Sequence, residues 1–173
     1  CRPQETQGIM RLGRIRQRSV CERDLDSEIA IHRNGDGNGK RGVFLGDTVR
    51  IETDNGQVLA ERTDAKAAFS DFRHKFYWDN LDALYFGGYA IWNYFSVPFV
   101  LLHEGFEIQE IDPWKENDQT WRRLKVFFPP DIPTHCREQV LYFNSEGLLM
   151  RLDYTAEVFG GWAKAAHSAR ASV

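Results

Sequence analysis

Thr48-Val49-Arg50-Ile51-Glu52, Asp54-Asn55-Gly56 and Gln57-Val58-Leu59-Ala60-Glu61 form the stretch that decides the fold. Val49 and Ile51 alternate with Arg50 and Glu52, so one side of this segment is apolar and the other charged. That is the period of a half-buried strand. The Asn55-Gly56 pair between two such runs predicts a hairpin closed by a type I′ turn, because both residues tolerate positive φ. Val43-Phe44-Leu45 adds a strand before it. The same period returns in the last third. Phe106-Glu107-Ile108-Gln109-Glu110-Ile111 alternates, and residues 121–128 set Leu124, Val126 and Phe128 against Arg123 and Lys125. Residues 138–144 follow. After Ser145-Glu146-Gly147, residues Leu148, Met150, Leu152 and Tyr154 fall on one face, with Arg151 and Asp153 on the other. The short connections predict sequential antiparallel pairing.

Between residues 64 and 99 the period lengthens. Asp64 is placed to cap a short helix carrying Ala65, Ala67, Ala68 and Phe69, and Asp79 to cap a longer one over residues 81–95. The longer segment carries Leu81, Leu84, Tyr85, Ala90, Ile91, Trp92, Tyr94 and Phe95, more apolar surface than one stripe needs. Gly87-Gly88 in its middle weakens it, and is expected either to kink the helix or to admit a closely approaching backbone or ligand. Pro98 closes the segment. Strands on both sides of a helical stretch predict an α+β chain.

Composition sets the outer limits. The 173 residues are read as a single domain, with 42% hydrophobic, 27% charged and 13% aromatic residues. That balance excludes disordered and collagen-like classes. Large rings crowd between Phe76 and Phe99, where they fill a core or line a cavity. The net charge of −3 argues against a general nucleic-acid binder. Residues 1–41 hold 9 Lys/Arg against 6 Asp/Glu, and the rest 13 against 19. The basic cluster Arg11, Arg14, Arg16 and Arg18 reads as the solvated face of an amphipathic segment with Ile9, Leu12 and Ile15 inward at helical spacing. Cys1, Cys21 and Cys136 lack metal-ligand or disulfide-framework spacing. No run of about 18 apolar residues spans a membrane, and Cys1 is not followed by a signal-peptide core. The location is left open: the reading leans to the cytoplasm, with a lipid-modified Cys1 as the alternative. Asn34-Gly35-Asp36-Gly37-Asn38-Gly39 marks a loop; starting at Asp36, the twelfth position is Asp47 rather than Glu, so an EF-hand is not expected.

The segment from Phe127-Phe128-Pro129-Pro130-Asp131-Ile132-Pro133-Thr134-His135 through Arg137-Glu138-Gln139, Tyr142-Phe143, Gly147-Leu148-Leu149 and Asp153-Tyr154-Thr155-Ala156-Glu157-Val158 to Gly160-Gly161 resembles a group of small bacterial proteins. Gly42-Val43-Phe44, Ile51-Glu52-Thr53, Glu61-Arg62-Thr63 and Ala90-Ile91-Trp92-Asn93-Tyr94 fit the same group, which is similar to the LolA/LolB lipoprotein-carrier fold. The likeness covers residues 42–161; residues 1–41 fit poorly, and 162–173 form a helix-permissive tail. The resemblance implies a curved antiparallel sheet, a half-barrel, covered on one face by one or two aromatic-rich helices, with a hydrophobic ligand held between them. Members of the group continue past the double glycine, so a truncated fragment without independent activity is an alternative expectation.

The resulting functional expectation is binding of a lipid or other hydrophobic small molecule, with no cofactor and no metal. Its candidate lining is Tyr85, Tyr89, Trp92, Phe95, Phe99, Leu124, Val126, Phe128, Tyr142, Met150 and Leu152, with Leu84 and Leu148 beside them. The competing expectation is a small-molecule enzyme. His103-Glu104 is one acid/base pair for it, and Asp131 with His135 another, the latter held by three prolines in residues 129–136. Arg151 and Asp153, with Arg137 and Glu138 of the neighbouring strand, are candidates for a cross-strand ion network. No GxSxG or Walker motif occurs.

Overall fold

The computed structural model describes residues 6–10, 13–17, 28–32, 39–70, 74, 77–159 and 164–168; of 6–10, 13–17, 28–32 and 165–168 it describes the backbone only. Leu12, Arg11, Arg18, Cys1, Cys21, Gly160, Gly161 and most of the glycine-rich loop, 34–38, lie outside the described residues. The chain divides into two compact units, ending at Phe95 and beginning at Ser96. Among the described residues it is α+β, as expected: two antiparallel sheets, neither closed into a barrel, and one aromatic-rich helix.

The sheet of the first unit runs in sequence order: β1 (Thr6–Met10), β2 (Gly13–Gln17), β3 (Glu28–His32), β4 (Lys40–Leu45), β5 (Thr48–Thr53) and β6 (Val58–Arg62). The helical spacing expected around Ile9 and Ile15 is overturned by β1 and β2, which pair antiparallel from Thr6–Gln17 to Met10–Gly13. Gly8 and Gly13 cost a helix about 1 kcal/mol each, and the β-branched isoleucines favour a pleated backbone.

The β5–β6 hairpin exists, but not with the expected turn. Gly56 N–H donates to Thr53 O at 2.9 Å and Thr53 N–H to Gln57 O at 2.9 Å, and Gly56 alone takes positive φ, +84°. That is a three-residue loop ending in a left-handed glycine; separately, a register shift between Ile51 and Glu52 leaves Leu59 as an extra residue of β6. The turn between Phe143 and Leu149 repeats this loop: Gly147 (φ +80°) donates to Asn144 O and Asn144 N–H to Leu148 O, both at 3.0 Å.

Asp64 does not cap a helix through its side chain. Its φ is +48°, outside the extended range an N-cap uses, and only its carbonyl accepts, from Ala67 N–H at 3.0 Å. The chain then makes a single 3₁₀ turn, Ala67–Ser70, in place of the expected short helix. Asp79 does cap α1 (Asn80–Ser96). Its Oδ1 accepts from Leu81 N–H at 2.9 Å and Asp82 N–H at 3.0 Å, while Asp82 Oδ2 accepts from Asp79 N–H at 2.9 Å. This is a reciprocal capping box built with Asp at the third helical position. The glycine pair divides its duties. A methyl group at Gly88 would stand 2.6 Å from Phe44 of β4, whereas one at Gly87 would meet nothing within 4 Å among the described residues. Gly42 of β4 likewise receives Leu84 of α1. The helix therefore lies directly on β4, with Phe44, Val43, Val49, Tyr85 and Tyr89 buried.

The second unit carries β7 (Glu107–Glu116), β8 (Gln119–Phe127), β9 (Glu138–Phe143), β10 (Leu149–Thr155) and β11 (Lys164–Ser168), in the sheet order β11-β10-β9-β8-β7. A true two-residue loop occurs here: Asn117 and Asp118 both have positive φ, 49° and 60°, between the paired Glu116 and Gln119. Pro113 falls where the β7 register shifts, on an edge strand, as a residue without an amide donor must. Within the helix-permissive tail, the described residues form a strand rather than a helix. Lys164–Ser168 pairs with β10, whose outer edge otherwise leaves amides and carbonyls unpaired, and small residues resist that weakly. A bulge between Leu149 and Arg151 also breaks the expected alternation from Leu148 to Tyr154. Leu148 is exposed, and Met150 falls at the irregularity while Arg151 pairs with Tyr142.

Candidate functional site

In the first unit the polar centre is one that none of the expected site residues announced. Arg62, at the end of β6, donates through Nη2 to Asp79 Oδ2 at 2.7 Å and through Nη1 to Asp82. Asp82 is buried and also meets His74 Nε2 at 3.1 Å. The hydrogen bond from Arg62 is the main reason the Asp79 carboxyl drops from 3.8 to about 2. His74 is 5% exposed, and its Nδ1 has no partner among the described residues. Aromatic rings surround it in series: Phe69 lies 5.5 Å from His74, 5.2 Å from Trp78 and 5.8 Å from Tyr85. Burial pushes the Tyr85 phenol above its usual range, with Asp47 and Asp64 adding to the shift. An imidazole held by a carboxylate acts as a general base where a substrate reaches it. Packed this deeply, the cluster ties the start of α1 to β6. The Asp79-x-x-Asp82 spacing was the available signal.

In the second unit, Leu124, Leu141 and Leu152 stand in register across β8, β9 and β10 and so share a face. Val126, Phe128, Leu141, Leu152 and Tyr154 are buried. Tyr142, expected beside them, lies on the opposite face because it neighbours Leu141 on one strand. There it sits in register between Arg123 and Arg151, whose guanidinium carbons lie 5.9 and 4.9 Å from its ring centroid. Both arginines also lie 5.6 Å from the Trp114 ring. Arg151 donates to both Asp153 oxygens, at 2.6 and 2.9 Å, and Tyr142 Oη donates to Asp153 Oδ2 at 2.7 Å. The expected ion network thus forms with other partners. Glu116 is 3.6 Å from Arg151, whereas Glu138 pairs with Lys125 at 2.8 Å and Arg137 donates to Phe128 O at 3.2 Å.

The acid/base candidates are placed differently from one another. Asp131 is exposed, while His135 is buried and stacked on Tyr154 with centroids 3.9 Å apart. Gln139 braces the same loop, donating to Thr134 Oγ1 at 2.5 Å and Cys136 O at 3.0 Å. Burial raises the Cys136 thiol, whose Sγ donates to Glu138 O at 2.9 Å. His103 is exposed, and its Nδ1 lies 3.0 Å from the backbone oxygen of Glu104 rather than from the carboxylate expected to orient it.

Of the apolar candidates, Tyr85, Tyr89 and Trp92 are buried in the first unit, and Leu124 and Met150 are half-buried in the second. Phe95 is exposed. Phe99 is more so, at 76%, on the 3₁₀ turn Phe99–Leu102, where Leu102 is 89% exposed and Val100 buried. Side chains three apart on a 3₁₀ turn eclipse, so Phe99 and Leu102 form one outward apolar ridge. Among the described residues, no group of three His, Cys, Asp or Glu could hold a metal, and no helix is long and apolar enough to cross a membrane. No family model and no curated protein matches the chain.

Proposed function

We propose that the protein binds a lipid or another hydrophobic small molecule, and that the ligand meets the chain at the Phe99–Leu102 ridge. The supporting observation is the exposure of two large apolar side chains on one side of a turn anchored by buried Val100. Burying each releases about 1.5–3 kcal/mol, so the pair alone supports binding on the millimolar scale. A tighter ligand brings apolar length of its own, at about 0.8 kcal/mol per methylene. This reading moves the contact away from Tyr85 and Tyr89, which the packing of α1 on β4 already occupies. The direct test is titration with a fluorescent long-chain fatty acid below its aggregation limit, beside native mass spectrometry of gently purified protein. Saturable binding that weakens at least tenfold in the Phe99→Ser/Leu102→Ser double variant is expected. Equal affinity in the two proteins would refute the assignment.

A further inference from the structure

We infer that the Phe99–Leu102 ridge also docks the protein on an electrically neutral lipid surface, an inference that rests on the lipid-binding reading above and extends it to an assembled bilayer. Three observations choose this occupant. The ridge is narrow: its two exposed side chains offer on the order of 300 Å², well short of the roughly 800 Å² per partner of a stable protein interface. A fluid lipid surface needs no complementary pocket, so protruding side chains partition into it independently. Residues 94–102 are Tyr, Phe, Ser, Val, Pro, Phe, Val, Leu and Leu, with no charge among them. No Lys or Arg flanks the ridge in sequence: the nearest charged residues along the chain are Asp82 before it and Glu104 after it. Docking on anionic lipid takes a cluster of Lys and Arg, each adding to the attraction. Here the flanking charges in sequence are carboxylates, so the apolar side chains carry the attachment.

Flotation of the intact chain with vesicles tests this. One set is phosphatidylcholine alone, and the other is phosphatidylcholine mixed with phosphatidylserine. The expected result is flotation with both, without a gain from phosphatidylserine and with little dependence on salt. Phe99→Ser and Leu102→Ser are each expected to lower the partition coefficient about tenfold, and the double variant about a hundredfold. Both positions are exposed, and unchanged melting of the variants confirms that only the ridge has been altered. Failure to float with phosphatidylcholine overturns the inference, as does flotation that requires phosphatidylserine or is equal in the double variant. A dimer held through the ridge, seen by light scattering as lost in the double variant, overturns it in favour of a second copy. The fatty-acid titration separates the two proposals: monomeric lipid bound without flotation refutes docking alone, and loss of both refutes both.

Discussion

Replacing each glycine of the α1 pair by alanine tests the helix–strand packing with a single methyl group. At Gly87 that methyl meets nothing within 4 Å among the described residues, so only the intrinsic preference for Ala over Gly in a helix operates, about 1 kcal/mol in favour of the variant. At Gly88 it would stand 2.6 Å from Phe44 Cγ and 2.7 Å from both Cβ and Cδ2. Ordinary carbon contacts lie near 3.5–4.0 Å, so three contacts are each short by roughly 1 Å. Phe44 is fully buried, and its Cβ moves only with its backbone. Overpacking of this kind costs about 1–3 kcal/mol. With Phe44 unable to turn aside, the upper end applies, and after the propensity gain a net loss of about 2 kcal/mol remains. The two variants then differ by about 3 kcal/mol, on the order of 5–10 °C in melting temperature for a chain of this length. Thermal unfolding followed by far-ultraviolet circular dichroism reads the difference directly. Gly42→Ala belongs to the same series: its methyl meets Leu84 Cδ1 at 2.6 Å, the far end of a flexible side chain, and a smaller loss is expected. A Gly88→Ala protein as stable as wild type would mean that α1 does not lie on Phe44 as described.

The acid limb of stability tests the α1 cap. Because the folded Asp79 carboxyl lies near 2 instead of 3.8, its contribution is present above about pH 4 and is lost as pH falls toward 2. Urea midpoints measured from pH 5 to 2 should fall less steeply in Asp79→Asn; parallel curves would contradict the Arg62–Asp79 bond. Tyr85 makes the opposite prediction. Its raised phenol contributes stability that is present below the ordinary tyrosine pKa of about 10 and is lost at higher pH. Tyr85→Phe should flatten alkaline unfolding, and coincident curves would place the phenol in water. Asp153→Asn removes the carboxylate shared by Arg151 and Tyr142 and should cost about 1–2 kcal/mol. A double-mutant cycle with Tyr142→Phe should show coupling above about 0.5 kcal/mol, and strict additivity would deny the shared bond.

Local regularities were legible wherever the chain's own neighbours decide them. Val49 and Ile51 against Arg50 and Glu52 announce a strand because side chains alternate across a pleat. Asp79 announces the start of α1 because its carboxylate can satisfy amides only two and three residues away. Asn55-Gly56 announced a hairpin correctly and its turn type incorrectly. The glycine alone supplied the positive φ, and hydrogen bonds at Thr53 and Gln57 selected the longer loop. Residues 164–168 defeated propensity altogether, since the free edge of β10 offers what no local preference outweighs.

By itself the sequence determined an α+β chain, its hairpins and its one long helix. These arise from periodicities of two and 3.6 residues and from caps that act within a single turn. Only the tertiary structure decided that Gly88 serves Phe44 while Gly87 serves no described neighbour, and that a bulge at Met150 changes which face β10 presents. It alone assembled Arg62, His74, Asp79 and Asp82 at one point, and left Phe99 and Leu102 outward while burying Val100. Those outcomes depend on distances between segments far apart in the chain, which close packing sets to within a methyl group and which no local pattern encodes.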